Sequence, residues 1–283
     1  RPESPAASPA IDHVEKALGH LANTPSTRAG RPVAGGLSVK VCWAGLFCES
    51  GVHRGIPATW FSMSSRQLIL LGVGNMLGDV YDCASALGIT ISTIVTNTPE
   101  AIRSRTKGLV ARLADLGERP AIVPLEAFPA ETESDCFVVP TTPRKTALIS
   151  QLAVSHPRLC YATLVHPRAY VSPYATVGPG VFVGAGSVIA AGAVLGPHVF
   201  VNRCVNVGHD TVVHEYGRLQ PGSSIGGHVT IHAGVTIGIG ANIIEELVIG
   251  TGAVVAAGAT VITDVAPLTM VAGVPARWKK QVD

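Results

Sequence analysis

The sequence predicts a small α/β domain followed by a parallel β-helix. Hydrophobic residues make up 47% of the chain but aromatic residues only 5%, so most apolar side chains are aliphatic, which is typical of sheets and solenoids. Residues 66–100 alternate short apolar runs with a glycine-rich turn, and from residue 169 to residue 264 the chain repeats every six residues without an insertion. These features indicate two domains in a chain of 283 residues.

The repeat is seen when the sequence is written in blocks from Ala169, which begin AYVSPY, ATVGPG and VFVGAG and continue to ATVITD. With the preceding block included, seventeen consecutive third positions from Val165 to Val261 hold Val, Ile or Leu, which makes between five and six coils of three blocks. A hexapeptide is too short to bury its own apolar face, so stacked copies must share one core. We therefore expect coils of about 18 residues.

The place of a residue within its block predicts its environment. The third residue is expected to point into the core, and so is the first, which is small or branched at Ala169, Ala175, Ser187, Ala193, Thr211 and Ser223. The fourth residue is often glycine, and we expect the chain to turn a corner there with a positive φ angle. These glycines are at positions 178, 184, 196, 208, 226, 238 and 250.

Charge and cysteine content exclude several classes of function. The formal net charge is +2 without a block of like charges, so the composition does not favour binding to nucleic acid.

An uncharged stretch at 169–202 is long enough to span a bilayer, but its strict period favours the β-helix over a membrane span. The cysteines form no CxxC pair and are interpreted as reduced thiols of a cytoplasmic protein. They are Cys42, Cys48, Cys83, Cys136, Cys160 and Cys204.

Upstream of the repeat, residues 66–100 predict the start of a nucleotide-binding βαβ unit. Leu68–Leu71 and Ile89–Val95 have the apolar character of strands, and Met76–Leu87 has helical spacing. The turn between the first strand and the helix is rich in glycine, and such a helix N-terminus favours phosphate. The candidate substrate-binding residues at the ends of the two strands are Gly72, Gly74, Asn75 and Asn97.

The same region argues against a dinucleotide cofactor. A site for NAD needs an acidic residue at the end of the second strand, where this chain has Thr96-Asn97-Thr98, and Glu100 is the first acid. The remaining elements expected in this domain are a helix near 99–116, strands at Ala121–Val123 and Cys136–Val139, and a helix over Arg144–Leu152.

A coil of about 18 residues also predicts which histidines lie above one another. His214 and His232 are 18 residues apart, so we expect them on the same face. His209 has Ala191 below it and Gly227 above it, so its side chain is expected beside open space that a ligand can use. The other histidines of the repeat and its entry are interpreted as solvent-exposed. They are His156, His166, His198 and His228.

A short Rossmann-like domain, an uninterrupted hexapeptide repeat and the ending MVAGVPARWKK at 270–280 together resemble the NeuD/PglD-type sugar O-/N-acetyltransferases, over about residues 66–281. The resemblance implies an N-terminal Rossmann-like domain followed by a left-handed parallel β-helix. It also implies transfer of an acetyl group from acetyl-CoA to an amine or hydroxyl of a sugar or nucleotide-sugar, without a metal. The implied assembly is a homotrimer with active sites between subunits.

The resemblance also assigns roles to single residues. The catalytic histidine of the family follows the aliphatic residue of a mid-helix block and precedes an acid, which matches Val207-Gly208-His209-Asp210. This match implies that His209 is the general base and that Asp210 orients it. By register, the backbone N–H of Gly227 is expected at the thioester oxygen. Further cofactor contacts are expected from Arg218 and Ile239 along the acetyl-CoA groove and from Arg277 at the CoA phosphates, unless Arg277 belongs to a solvated tail.

Two other interpretations stay open at this point. The H-x4-H spacing of His209 and His214 is that of a γ-class carbonic anhydrase-like metalloenzyme. Such a site needs a third imidazole, and Pro173 occupies the position 36 residues before His209. The other alternative is a non-catalytic sugar-binding trimer, which requires the repeat but no histidine beside open space.

Residues 1–62 differ in composition from the rest of the chain. They are rich in Pro, Ala, Ser and Gly and have no sustained periodicity, so we expect a disordered or non-native leader without a part in the active site. The alternative is a targeting or partner-binding arm. Met63 is followed by two serines and, a few residues later, by the first predicted strand. The predicted organisation is therefore a leader at 1–62, a Rossmann-like substrate-binding domain at 63–158 and a β-helix acyltransferase domain at 159–283.

Overall fold

The computed structural model describes residues 67–97, 108–140 and 144–282. The predicted leader at 1–62 lies outside these residues, as does the first part of the helix expected near 99–116. Within the described ranges, the helices are α1 (Leu77–Ala86), α2 (Leu109–Leu116) and α3 (Arg144–Ser155), and Leu125–Ala127 form a short 3-10 helix.

Five parallel strands form the N-terminal sheet, in the order β3-β2-β1-β4-β5. Their bounds are β1 Gln67–Leu71, β2 Thr90–Thr96, β3 Ala121–Pro124, β4 Asp135–Val138 and β5 Cys160–Tyr161. The central strand β1 is buried on both faces, since Leu68 and Leu70 pack in one core cluster with α1, whereas Ile69 and Leu71 pack in another with α3. The predicted order of strand, glycine-rich turn, helix and strand is present.

Short strands of two residues follow, one in each six-residue block. They are β6 Leu164–Val165, β7 Tyr170–Val171, β8 Thr176–Val177, β9 Phe182–Val183, β10 Val188–Ile189, β11 Val194–Leu195, β12 Phe200–Val201, β13 Asn206–Val207, β14 Val212–Val213, β15 Arg218–Leu219, β16 Ser224–Ile225, β17 Thr230–Ile231, β18 Thr236–Ile237, β19 Asn242–Ile243, β20 Val248–Ile249, β21 Val254–Val255 and β22 Thr260–Val261. Two longer strands close the helix, β23 Thr269–Ala272 and β24 Arg277–Gln281, and they pair antiparallel.

Every third strand belongs to the same sheet, so three parallel sheets run along the helix. Face one contains β7, β10, β13, β16, β19 and β22, face two contains β8, β11, β14, β17 and β20, and face three contains β6, β9, β12, β15, β18 and β21 before the two closing strands. The predicted stacking is observed, because Val207 aligns with Ile189 below it and Ile225 above it. We call the turn from face one to face two the first corner, the next turn the second corner, and the turn back to face one the third corner.

The core of the helix consists of the third-position side chains. Those from Val183 to Val261 are at most 4% exposed, whereas Val165 and Val177 near the entry are partly buried. Burying such a side chain contributes about 1.5–3 kcal/mol to folding. The polar first-position residues are satisfied in part by the neighbouring coil: Ser187 Oγ donates to the carbonyl of Asn202 at 2.7 Å, and Thr211 Oγ1 donates to that of Gly226 at 2.7 Å.

The prediction for the fourth-position glycines is wrong in one respect. The positive φ angles fall at the sixth residue of the blocks, for example 67° at Gly180, 72° at Gly186 and 55° at Asp210. The fourth-position glycines are needed for another reason, which is the close approach of consecutive coils. A Cβ on Gly184 would lie 2.9 Å from the backbone nitrogen of Arg203 in the next coil, so a side chain does not fit there.

The N-terminal sheet packs against face three and the third corner. Phe182 and Phe200, which point outward from face three, stack with ring centroids 4.8 Å apart and belong to the same core cluster as Phe137. At the third corner, Arg203 Nη1 lies 2.9 Å from Asp79 Oδ1 in the first turn of α1. This ion pair holds the N-terminal end of α1 against the β-helix.

Three histidines that were expected in solvent are buried. His156, His166 and His198 are 5%, 7% and 6% exposed. The reason is the packing of other elements over the entry and lower coils of the repeat: the His166 ring lies 3.5 Å from Asp82 of α1, and the ring of His156 stacks on Phe128. His228 is exposed, as expected.

A buried lysine lies beside His198 at the second corner. Lys145, the second residue of α3, is 2% exposed, and its Nζ donates to the backbone carbonyl of His198 at 3.2 Å. Burial lowers the pKa of Lys145 to about 7. Burial, followed by the charge of Lys145, lowers the pKa of His198 to about 3. The imidazole of His198 is stacked on Tyr216 and contacts the edge of Tyr161, so it is held neutral between aromatic rings.

Among the described residues, no helix has both the length and the apolar character that a bilayer crossing requires. β5 of the N-terminal sheet ends at Tyr161, and β6, the first strand of the helix, begins at Leu164. The predicted domain limits of 63–158 and 159–283 stay predictions.

Candidate active site

The first corner holds His209 and Asp210, the fifth and sixth residues of their block. Asp210 adopts a left-handed φ of 55°, which aspartate tolerates better than most residues, and its N–H donates to the carbonyl of Ala191 one coil below at 3.0 Å. Its carboxylate oxygen Oδ2 lies 3.0 Å from His209 Nδ1. An ionised carboxylate only accepts hydrogen bonds, so this contact places the proton of the neutral imidazole on Nδ1 and leaves the lone pair on Nε2.

Gly227 lies directly above His209. A Cβ on Gly227 would be 2.6 Å from His209 Nε2, so this nitrogen points toward the glycine backbone. The His209 side chain is 62% exposed, which leaves room for a ligand next to Nε2. Among the described residues, the N–H of Gly227 donates to no backbone carbonyl. The corner can therefore take a proton at Nε2 and offer an N–H to a developing negative charge nearby.

His228 also belongs to this corner, and the sequence interpretation missed it. It stands 18 residues after Asp210, and its Nε2 lies 3.9 Å from the same carboxylate oxygen, Oδ2. The rings of His209 and His228 meet edge to face with centroids 5.0 Å apart. The register of the sequence contained this information. His228 is the sixth residue of its block and lies one coil above Asp210, the acid at the first corner.

His214 and His232 lie at the second corner, one above the other. Their rings are stacked with centroids 5.2 Å apart, as the register predicted. Burial and the neighbouring His232 lower the pKa of His214, against a smaller opposing effect of Glu215. Because β14 lies between His209 and His214, the two histidines of the H-x4-H spacing are on different corners and do not converge on one ion within one chain.

The other cofactor-binding candidates are not at the first corner. Arg218 lies on face three in β15, half-buried, and burial lowers its pKa. Ile239 follows β18 at the third corner and is 60% exposed. Arg277 begins β24 and is exposed, with its Nη1 donating to the carbonyl of Ala276 at 3.0 Å. One chain thus brings together only His209, Asp210 and Gly227 from the predicted set.

The substrate-binding candidates lie at the carboxyl ends of β1 and β2. The N–H of Gly72 donates to the carbonyl of Val95 at 2.7 Å, and its φ is 75°. A Cβ on Gly74 would lie 3.2 Å from the carbonyl oxygen of Val139, so this loop is packed tightly against the end of β4. Asn75 is exposed and Asn97 is half-buried. The structure therefore places all four candidates at one edge of the sheet, where α/β proteins bind ligands.

Arg112 of α2 is a further residue at this edge that the sequence did not reveal. Its Nη2 donates to the carbonyl of Gly74 at 2.9 Å. A guanidinium has five N–H donors in a fixed fork, and here it lies on the glycine-rich loop. The spacing of α2 alone does not indicate this contact, because it depends on how α2 packs beside β1.

No protein-family profile matches the chain. Among solved structures, the chain is similar to perosamine N-acetyltransferase from Caulobacter crescentus in complex with CoA and GDP-perosamine, with a TM-score of 0.65 and 28% identity over 76% of this chain and 97% of that one. It is also similar to the acetyltransferase domain of PglB from Neisseria gonorrhoeae in complex with acetyl coenzyme A, with a TM-score of 0.63 and 29% identity over 76% and 99% of the two chains.

A curated relative shares a shorter segment. The chain is 45% identical over 67 residues to 2,3,4,5-tetrahydropyridine-2,6-dicarboxylate N-acetyltransferase from Enterococcus faecalis. This segment is 24% of the present chain and spans only 28% of that relative. The predicted fold class and the predicted resemblance to sugar acetyltransferases that use acetyl-CoA are confirmed by these comparisons.

Proposed function

We propose that this chain, an acetyl-CoA-dependent acetyltransferase with the hexapeptide-repeat fold, acetylates the amino group of a nucleotide-linked amino sugar, with His209 as the general base. The observation that carries the proposal is the first corner, where Asp210 holds Nδ1 of His209, and Nε2 lies next to Gly227 on an imidazole that is 62% exposed. The choice of an amine over a hydroxyl is supported by the similar proteins, which are named as N-acetyltransferases of perosamine and of tetrahydropyridine dicarboxylate.

The reaction requires little from the protein beyond these groups. The acceptor nitrogen attacks the thioester carbon, so a C–N bond forms, and the C–S bond breaks when the tetrahedral intermediate collapses. His209 Nε2 takes the proton that the nitrogen loses, and a proton from the imidazolium or from water neutralises the thiolate of CoA. General-base catalysis of this kind contributes about 10²–10⁴-fold. The N–H of Gly227 stabilises the oxyanion of the intermediate.

The acceptor nucleotide is assigned to the glycine-rich loop before α1, where Gly72, Gly74, Asn75 and Asn97 lie at one sheet edge. The loop leads into α1, and Asp79 in the first turn of that helix is bound to Arg203 of the third corner at 2.9 Å. The loop is thus on the side of the third corner, whereas His209 is at the first. This separation supports a shared site, in which the nucleotide loop of one chain serves His209 of another.

A homotrimer is the proposed assembly. The candidates for the CoA groove, Arg218 and Ile239, also lie on face three and at the third corner, away from His209 of the same chain. A triangular helix offers three flat faces, and packing around a threefold axis brings different corners of neighbouring chains together. The mass of the full chain in solution, measured by light scattering at micromolar concentration, is expected to be that of a trimer, and a monomeric mass contradicts the shared site.

The experiment that tests the activity measures CoA release from acetyl-CoA against a panel of acceptors. The panel consists of GDP-, UDP- and dTDP-linked amino sugars, each paired with the same nucleotide sugar carrying a hydroxyl in place of the amine. We expect release with at least one amino sugar and at least about tenfold less with its hydroxyl partner. Release with the hydroxyl sugars alone would overturn the choice of the amine, and no release with any acceptor would overturn the activity.

The cytoplasm is the proposed location. It is supported by the state of the described cysteines, since Cys83, Cys136, Cys160 and Cys204 are free thiols, two of them fully buried. Free thiols persist where the environment is reducing.

A further inference from the structure

We infer that the first corner is a binding site for a zinc-type divalent metal ion, held by His209, Asp210 and His228, and that the ion inhibits acetyl transfer. One ligand atom from each of these residues lies within 4.8 Å of the others. The binding does not depend on the proposed function. The inhibition does, because it acts on the proposed general base.

The distances between the ligand atoms suit coordination after small side-chain adjustments. His209 Nδ1 is 3.0 Å and His228 Nε2 is 3.9 Å from Asp210 Oδ2. A tetrahedral ion with bonds of about 2.0–2.2 Å holds its ligands about 3.3 Å apart, which lies between these two values. All three side chains are more than half exposed, so an ion can reach them and water can complete the coordination.

The backbone holds the three residues in place. Asp210 and His228 both have a φ of 55°, and the N–H of His228 donates to the carbonyl of His209 at 2.9 Å. The turns are part of a continuous ladder between coils, so only side-chain rotations separate the present geometry from a coordinated one. One coil above, Glu245 and Glu246 add negative charge to the same corner, and the N–H of Glu246 donates to the carbonyl of Gly227 at 3.0 Å. A cation is therefore favoured here.

The donor set selects the class of ion. Two imidazole nitrogens and one carboxylate suit Zn²⁺, Co²⁺ or Ni²⁺, whereas Mg²⁺ and Ca²⁺ prefer oxygen ligands throughout. His228 is the residue that converts the base and its orienting acid into a site with three ligands. His214 is not a member of the cluster.

The ion would inhibit by changing the tautomer of His209. In the metal-free corner, Nδ1 carries the proton toward Asp210 and Nε2 keeps its lone pair. A metal on Nδ1 displaces that proton, so the neutral imidazole carries its hydrogen on Nε2 and can no longer accept one there. The ion also occupies the carboxylate that stabilises the imidazolium during the reaction.

Binding is tested first, on the full chain stripped of metal, by titrating Zn²⁺ against a chromophoric chelator. The variants are His228→Asn and, as a matched control at another corner, His232→Asn. We expect the wild type and His232→Asn to bind one more zinc ion per chain than His228→Asn, or to bind it at least about tenfold more tightly. Mg²⁺ should not compete. Equal zinc binding by all three proteins would overturn the site.

Inhibition is tested by CoA release with and without stoichiometric Zn²⁺, each variant being compared with its own metal-free rate. Zinc should slow the wild type and His232→Asn at least about tenfold, with recovery on chelation, and should slow His228→Asn less than about twofold. An equal zinc effect on all three would overturn the inhibitory mechanism. Zinc binding that depends on His228 in a protein that releases no CoA supports the site and contradicts the proposed function, which separates the two failures.

Discussion

A methyl group added to Gly227 would lie 2.6 Å from Nε2 of His209. The φ of Gly227 is not in the left-handed region, so alanine suits the backbone, and the imidazole is the group that has to move. We predict that Gly227→Ala lowers kcat about 10–100-fold, since a misplacement of about 1 Å at a reacting group has effects of this size. Steady-state kinetics and thermal unfolding measured on the same samples check this, with the melting temperature expected to change little.

Gly78→Ala is the control for the added methyl group itself. Gly78 is the second residue of α1, next to the proposed nucleotide loop, and a Cβ there would have no heavy atom within 4 Å, so this control is compared at saturating acceptor. Its effect on kcat should be much smaller than that of Gly227→Ala. If Gly227→Ala retains the wild-type kcat, Nε2 of His209 does not work in the position that the structure gives it.

The register of the repeat made the first corner largely predictable from the sequence. A strict period of six fixes which residues lie above one another, so Gly227 was expected above His209 and His232 above His214, and both stacks are observed. His228 was missed because the 18-residue register was applied to His209 and not to Asp210, which has His228 directly above it. The positive φ angles were assigned to the wrong position in the block because close approach of the backbone and a left-handed turn both call for glycine.

The contacts of the N-terminal domain could not be derived in the same way. Nothing in the period shows that α3 covers His198 or that Lys145 is 2% exposed. These contacts join residues of two different domains, and the sequence pattern of each domain predicts only contacts within that domain. The same holds for Arg112, whose bond to Gly74 depends on the packing of α2 beside the glycine-rich loop.

Lys145 is expected to make stability depend on pH. Its pKa is about 7 in the folded chain, against an ordinary value of 10.5. Between these values the unfolded chain binds a proton that the folded chain does not, so the free energy of unfolding rises with pH from about 7 to 10.5. Lys145→Met should stabilise the protein at pH 7 by on the order of 2–3 kcal/mol, and the gain should shrink toward pH 10.

Chemical denaturation at a series of pH values measures this effect. Lys280→Met is the matched control, because Lys280 is exposed on β24, and it should leave the pH dependence unchanged. A Lys145→Met variant that is less stable than the wild type at pH 7 would show that the bond of Nζ to the carbonyl of His198 outweighs the cost of burial.

His198 is expected to limit stability in acid. Its pKa is about 3 in the folded chain and ordinarily 6.5. Between about pH 3 and pH 6.5 this histidine is protonated in the unfolded chain but not in the folded chain. The free energy of unfolding therefore falls as the pH drops below 6.5. His198→Phe keeps a ring between Tyr161 and Tyr216 and removes the titrating group. The loss of stability between pH 7 and pH 5 should be smaller in this variant than in the wild type by about 1–2 kcal/mol. An equal loss in both proteins would show that other titrating groups cause the acid sensitivity.

Asp210→Asn should lower kcat less than the removal of His209 itself. The amide of asparagine can still contact Nδ1, but it carries no charge to stabilise the imidazolium and can favour the wrong tautomer. We expect Asp210→Asn to retain measurable activity with a nearly unchanged KM for acetyl-CoA. A variant as active as the wild type would show that the contact of 3.0 Å between His209 and Asp210 has no part in catalysis.

The central claim is that His209 is the general base of acetyl transfer. The most direct measurement is kcat for CoA release, with the best amino-sugar acceptor, by the wild type, His209→Ala and His214→Ala. His209→Ala is expected to lower kcat about 10²–10⁴-fold with the fold intact, while His214→Ala, at another corner, has a mild effect. The claim is contradicted if His209→Ala stays within a few-fold of the wild type. It is also contradicted if His214→Ala is equally damaging and zinc restores the activity of the chelated wild type.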